Sequence, residues 1–248
     1  MAEINDGLAL KDLLAAASPL IKTLVDTFIT PKLTSFKSKY LSNGEKSPLT
    51  EDNFTEYYHR TFKKLVVINT LVFNNSQRFL PDIYIPLTLT NKKDEKIKTK
   101  IFGYPEALSD EYWNIRITDT AGMGKSTLMK TIFIDIIYKN VGIPLFVELR
   151  RLNKQKTIIE EIKEQLNSIN KKFDDNLLLD LLSEGGFIII LDGYDEITLS
   201  DRDIVTKDIQ DFIAKASNNR FFITSRPEKA LLSFGNFQEF RISPLNKK

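Results

Sequence analysis

Cysteine is missing from the 248-residue chain, and histidine occurs once, as His59. The first absence excludes disulfides and thiolate metal centres; the second excludes metal or catalytic clusters built from imidazoles. A reducing cytoplasm fits this composition. An excess of one charge is missing too. Lysine and arginine number 35 against 33 acidic residues, a net charge of +2, so no whole-chain field draws the protein to nucleic acid or to an anionic membrane. Long apolar runs are scarce. Leu13 to Ile21 is about half a membrane span, and Lys11, Asp12 and Lys22 flank it. Glu3 and Asp6 precede it, where a secretory signal would carry basic residues. It reads as a soluble amphipathic helix. Internal repeats and low-complexity tracts are absent, and residues 1–75 carry no nuclease, protease or cyclase motif.

What is present is enough apolar material, 42% of residues, to fill a substantial core. Helical spacing of apolar residues runs through 8–29 and 51–75, the latter via Phe54, Tyr58, Phe62, Leu65 and Ile68. His59 falls inside that helix and reads as structural. In 82–102, Ile83, Ile85, Leu87 and Leu89 alternate, a charged turn spans Asn91 to Lys96, and Ile97 and Ile101 mark a return strand. From Trp113 onward, strands at 113–118, 143–149, 187–191, 220–224 and 237–242 alternate with helices at 125–139, 158–169, 175–184 and 202–217. That alternation predicts an α/β fold with a mostly parallel sheet covered by helices. Trp113 is expected to pack at the start of the first of these strands.

The first strand leads into Asp119-Thr120-Ala121-Gly122-Met123-Gly124-Lys125-Ser126, and a helix follows. A strand, a tight Gly-rich loop and a helix N-terminus are the context in which backbone amides cradle phosphate. Gly122 and Gly124 let amides approach anionic oxygens, Lys125 brings a mobile ammonium to the β- and γ-phosphates, and Ser126 offers a hydroxyl to Mg2+. Thr120, Ala121, Gly122, Met123, Gly124, Lys125, Ser126 and Thr127 are thus the expected nucleotide-binding residues. Asp119 stands where the pattern G-x-x-x-x-G-K-[ST] has glycine. Aspartate tolerates turns, but its charge is positioned to oppose phosphate.

Phe187 to Glu196 (FIIILDGYDE) ends a wholly apolar strand in Asp192. A carboxylate there can hold Mg2+ beside Ser126, while Asp195 and Glu196 fall where a base would orient the attacking water. Phe221 to Pro227 then places the hydroxyls of Thr224 and Ser225 near a γ-phosphate, with Arg226 to sense it or stabilise transferred charge.

The three segments AGMGKST, IIILDGYDE and TSRP resemble the hallmarks of the NACHT family of signalling NTPases, within the STAND class. The DGxDE ending is more diagnostic than any phosphate loop alone, and Tyr84 to Leu87 and Arg241 to Leu245 look like bacterial members. The resemblance implies a P-loop NTPase core with a five-stranded sheet over 79–248, preceded by a helical region over 1–78, and a helical and winged-helix module beyond residue 248. It also implies an ATP/ADP and Mg2+ switch that hydrolyses slowly and self-associates when triggered. Bacterial relatives defend against phage, which would make the trigger phage-derived. By carry-over, Gly122, Gly124, Lys125, Ser126 and Thr127 bind nucleotide, Asp192 serves the metal, Asp195 and Glu196 hydrolysis, and Arg226 senses the γ-phosphate. A membrane partner is not expected, and the nucleic-acid signal is weak.

Three rival readings remain open at this point. Asn91-Lys92-Lys93-Asp94 matches N-K-x-D, the guanine-reading motif, but precedes the loop and would require a circularly permuted GTPase; a charged hairpin tip explains it better. A nucleotide-independent interaction scaffold is motivated by Asp119. A small-molecule kinase should carry an arginine-rich lid after the core, which the sequence lacks. Tyr84 and Ile85 could supply an apolar wall for the base.

Overall fold

The computed structural model describes residues 6–40, 51–69 and 77–244. Its N-terminal part is a long helix: α1 (Asp6–Leu24) passes through one π-helical stretch, Val25–Ile29, into α2 (Thr30–Tyr40). The periodicity predicted an end near 29. The chain instead stays helical through Pro31: Thr30 keeps αR backbone and donates to Val25 O across the wider π-helical turn that immediately precedes the proline. Ala17, Ile21, Leu24, Val25, Ile29 and Leu33 form its buried stripe, while Lys11, Asp12, Lys22 and Asp26 face solvent. Among the described residues Leu10–Phe36 is long and apolar enough to cross a membrane, yet this stripe is spent on the protein core.

Helix α3 (Glu51–Val66) is shorter than the predicted 51–75. Val66, Val67 and Ile68 are consecutive β-branched residues, poor helix formers, and β1 (Val67–Asn69) pairs with β2 (Gln77–Phe79) in an antiparallel ribbon. Residues 70–76 lie outside the described part. A short helix α4 (Leu80–Ile83) follows, opened by Pro81 in its first turn. The predicted alternating strand therefore begins only at Leu87. Strands β3 (Leu87–Asn91) and β4 (Lys98–Ile101) form the predicted hairpin. At its tip Asn91 Oδ1 accepts from Lys93 N (2.8 Å) and Asp94 N (3.3 Å) and also from Gln238 Nε2 (2.8 Å). The N-K-x-D stretch is thus a turn closed by its own asparagine.

After α5 (Glu106–Glu111) come β5 (Asn114–Thr118), α6 (Lys125–Lys139), β6 (Ile143–Glu148), α7 (Ile158–Leu166), α8 (Asp175–Glu184), β7 (Phe187–Asp192), α9 (Arg202–Lys215), β8 (Arg220–Ser225) and β9 (Phe237–Ile242). The sheet has seven strands, in the order β4-β3-β9-β5-β8-β7-β6, and not five. β9, β5, β8, β7 and β6 are parallel. The hairpin adds to them through the antiparallel β3–β9 pairing, Leu89 opposite Ile242. That pairing covers a row of main-chain groups that an open β9 edge would expose.

Helix α6 covers one face of the sheet, with Phe133 edge-on to Phe146 at 6.0 Å, and α9 the other, with Phe212 edge-on to Phe221 at 5.9 Å. Helix α3 forms an outer layer over α6 through Tyr57 and Tyr58 against Phe133. Trp113 departs from expectation: it is half exposed, donates to Asn219 O at 2.9 Å and is stacked by Arg220. On the β6 edge, the buried Phe146 N–H donates to Tyr57 Oη at 2.8 Å, so a helix side chain caps the last strand. Burial pushes the Tyr57 phenol up, which keeps it neutral.

Replacing Tyr57 by phenylalanine leaves that amide buried without its acceptor. Urea denaturation should show the variant less stable by about 1–3 kcal/mol. An unchanged unfolding free energy would mean the edge amide finds another acceptor.

Candidate nucleotide-binding site

The parallel strands change direction of connection between β5 and β8: from β5 the chain crosses to β6 and returns through β7 and β8, then jumps to β9 on the other side. Sheets of this kind open a crevice at the carboxyl ends of the strands at such a point. The predicted loop sits there, and Asp119 N donates to Ser225 O at 3.2 Å across the mouth.

Gly122 (φ 79°) and Gly124 (φ 85°) both hold the left-handed backbone that side chains disfavour. At Gly124 a Cβ would also stand 3.3 Å from a Leu87 methyl of β3. Gly124 is the N-cap of α6 and offers no side-chain acceptor, and the first turn of α6 holds no acid. Helices α7 and α8, by contrast, are capped by Thr157 and Asp174. The first N–H groups of α6 are left for an anion, at the positive end of the helix. Lys125 Nζ donates to the carbonyls of Asp119 and Thr120, each at 2.7 Å. Burial lowers its pKa, opposed by the carboxylates of Asp195 and Asp119. Thr120 and Ala121 are exposed, Met123 packs against the core, and Ser126 and Thr127 follow on the first turn of α6.

Asp192 closes β7 and is buried. Its Oδ1 accepts from Ser126 Oγ at 3.1 Å and from Thr224 Oγ1 at 2.6 Å. Burial raises its pKa, and the two hydroxyls and Lys130 work against that. Thr224 Oγ1 in turn accepts from Gly193 N at 2.9 Å, so one hydroxyl on β8 fixes both the carboxylate and the turn after it. The expectation that Thr224 and Ser225 present hydroxyls to a γ-phosphate therefore needs correction. Thr224 is committed to Asp192, and Ser225 is wholly buried, its hydroxyl without a hydrogen-bond partner.

The acids after β7 divide. Asp195 accepts from Arg226 N through Oδ1 (3.0 Å) and pairs with Arg226 Nε through Oδ2 (2.9 Å). Glu196 has a half-exposed side chain, with Arg150 at 3.7 Å. Burial raises its pKa; Arg150 lowers it, while Asp192, Asp195 and Glu148 raise it. Glu148 was not foreseen. It ends β6 in register with Asp192, pairs with Lys64 of α3, and accepts from Arg150 at 2.7 Å. Burial acts to raise its pKa, but Lys64, Arg150 and Arg151 hold it below the usual glutamate value. The signal was available: Ile143 to Glu148 is an apolar run ending in an acid, as in β7. Tyr84 donates its hydroxyl to Ile101 O at 2.9 Å, whereas Ile85 is exposed.

The donor set fits Mg2+ bound with a nucleotide. Ser126 and Asp192 bring a hydroxyl and a carboxylate together, and a phosphate-bound Mg2+ takes few protein ligands, the rest being phosphate and water. Accordingly, among the described residues no three His, Cys, Asp or Glu side chains converge as a self-sufficient metal cage.

The NACHT domain family model matches residues 115–248. No curated protein matches the chain. A solved structure, that of C. elegans PCH-2, is similar over 54% of this chain and 36% of its own, with 12% identity and a TM-score of 0.31; a superposition that loose carries no argument.

Asp192→Asn keeps an acceptor for both hydroxyls while removing the buried charge. A carboxylate whose pKa is raised on folding stabilises at low pH and loses that contribution as pH climbs through the raised value. Without nucleotide, the variant should melt above wild type by about 2–4 °C at neutral pH, with the gap closing towards acid. A variant melting at or below wild type at pH 7 contradicts this.

Proposed function

The chain belongs to the NACHT domain family, nucleotide-binding P-loop NTPases of the STAND type, and on that premise we propose that it is a slow ATPase working as a cytoplasmic switch. The observation that carries the reading is the meeting of Ser126 and Asp192 at 3.1 Å, beside the uncapped start of α6. Thr120 to Thr127 hold the phosphates, with Lys125 as the mobile charge. Ser126 and Asp192 hold Mg2+, which supplies charge neutralisation of the phosphates when bound. Glu196 takes the proton of the attacking water, a task its raised pKa suits. Asp195, with both oxygens on Arg226, orients that arginine toward the γ-phosphate.

The biological setting we propose is bacterial defence against phage. A phage-derived trigger would favour exchange of ADP for ATP, and the ATP-bound form would self-associate. Family membership and the motif set support this setting. The scaffold alternative rested on Asp119; its two oxygens accept from the backbone amides of Thr120 and Ile242, which supports a structural task for the carboxylate, and a binding titration decides between the two readings.

Titration with fluorescent ATP, paired with single-turnover hydrolysis, tests the roles. Lys125→Ala should abolish detectable binding. Glu196→Gln should bind like wild type and hydrolyse about 100-fold more slowly or worse. Equal loss of binding in both variants would refute the division of labour; wild-type binding in Lys125→Ala would refute the site.

A further inference from the structure

The residue that departs from the phosphate-loop pattern has a task of its own. Strands β5 and β9 pair in parallel from Asn114 with Phe237 to Ile117 with Phe240. β5 then ends at Thr118 and turns into the loop, while β9 runs on to Ile242. Main-chain groups of a strand point alternately to its two sides. Ser243 N donates to Thr88 O, on the β3 side, at 2.8 Å. The Ile242 N–H therefore points the other way, along the line β5 has abandoned. Asp119 Oδ2 accepts it at 3.0 Å, so a side chain continues a ladder that the backbone has left.

Every polar group of Asp119 is in use. Oδ1 accepts from Thr120 N at 2.7 Å, the carbonyl accepts from Lys125 Nζ at 2.7 Å, and the amide donates to Ser225 O at 3.2 Å. Its φ is not positive, so the backbone here does not require glycine. A glycine at 119 would supply neither side-chain oxygen.

We propose that Asp119 is a positioning residue that ties the phosphate loop to the end of β9, so that the loop and the chain leaving β9 respond together. The tie is short: Ile242 amide, Asp119 carboxylate and carbonyl, Lys125 ammonium. An anion that engages the third hydrogen of the Lys125 ammonium fixes the donor that holds the Asp119 carbonyl, and with it the residue whose carboxylate holds Ile242, a coupling through one residue. The inference deepens the nucleotide-binding reading of the loop and rests on it for its ligand.

Amide hydrogen exchange at Ile242, read by NMR with and without Mg·ADP, tests the tie, with Ile189 in the middle of β7 as the internal control for folding. In wild type, Mg·ADP should slow exchange at Ile242. Asp119→Ala should speed it about tenfold without nucleotide, abolish its response to Mg·ADP and weaken ADP binding by about tenfold, with Ile189 unmoved. Asp119→Gly, made in parallel, should behave alike and carries the comparison if the alanine variant also loosens Ile189. Wild-type exchange at Ile242, or a wild-type response to Mg·ADP, in a variant that keeps Ile189 protected overturns the proposal. Failure of wild type itself to bind ADP would sink the nucleotide reading, while the ligand-free comparison still decides whether Asp119 holds the strand.

Discussion

A carboxylate at the tip of a strand buried on both faces has to be satisfied by its neighbours or neutralised. Asp192 is in that position, and its partners fix three elements at once: Ser126 at the start of α6, Thr224 on β8, and, through Thr224, the amide of Gly193. The hydrogen-bond chain sets the distance from the phosphate loop to the acidic turn without any ligand. Its cost is a buried charge whose pKa burial drives up, the kind of local instability that binding sites retain because the ligand needs it. With a divalent ion at hand the same charge becomes an asset, since the ion inverts the local electrostatics.

Around that centre the remaining charges are sorted by partner. Arg226 lies on Asp195 across the strand-end gap, and Arg202 links the carbonyls of Asp195 and Ile197 to Glu228 (all at 3.3 Å), so the turn after β7 and the loop after β8 are joined twice. Glu196, in contrast, is approached only loosely by Arg150, which also holds Glu148. Lys64 ties that same Glu148 to α3. Helix α3 is thereby connected to the carboxyl end of β6 by an ion-pair relay, in addition to the apolar contact of α1 and α3 with α6.

Much of this was legible in the chain. The wholly apolar Phe187 to Leu191 announced a central strand with its acid at the end, and helices 125–139 and 175–184 fell where periodicity put them. The loop, Asp192 and Ser126 met as their motifs required. What was hidden depended on side chains from distant elements. No local pattern tells Thr224 to serve Asp192 rather than solvent, or divides Asp195 from Glu196, which are adjacent and chemically alike. The sheet count failed for a related reason. The β3–β4 hairpin was readable from its alternation and turn, but its pairing partner, β9, lies about 150 residues on, and edge pairing leaves no mark on local periodicity.

That pairing is where fold and site are joined most tightly. β9 is parallel to β5 and antiparallel to β3, so it cannot slide without disturbing both. Its register is fixed by charge as well as by the burial of Phe240 and Ile242. Glu239 is buried, and receives Arg116 at 2.8 Å, Lys92 at 2.8 Å and the Thr118 hydroxyl at 2.7 Å, which hold it below the usual glutamate pKa despite burial. A slip of one residue would turn Glu239 to the opposite face of the sheet and strand the Arg116 guanidinium in the interior. Breaking a buried pair in that way costs about 3–5 kcal/mol, and turning Phe240 and Ile242 out of the core costs about 1.5–3 kcal/mol each, so charge and apolar burial select the same register. Because that register fixes which residue of β9 lies past the end of β5, it also determines that the Ile242 amide, and no other, meets the first residue of the phosphate loop.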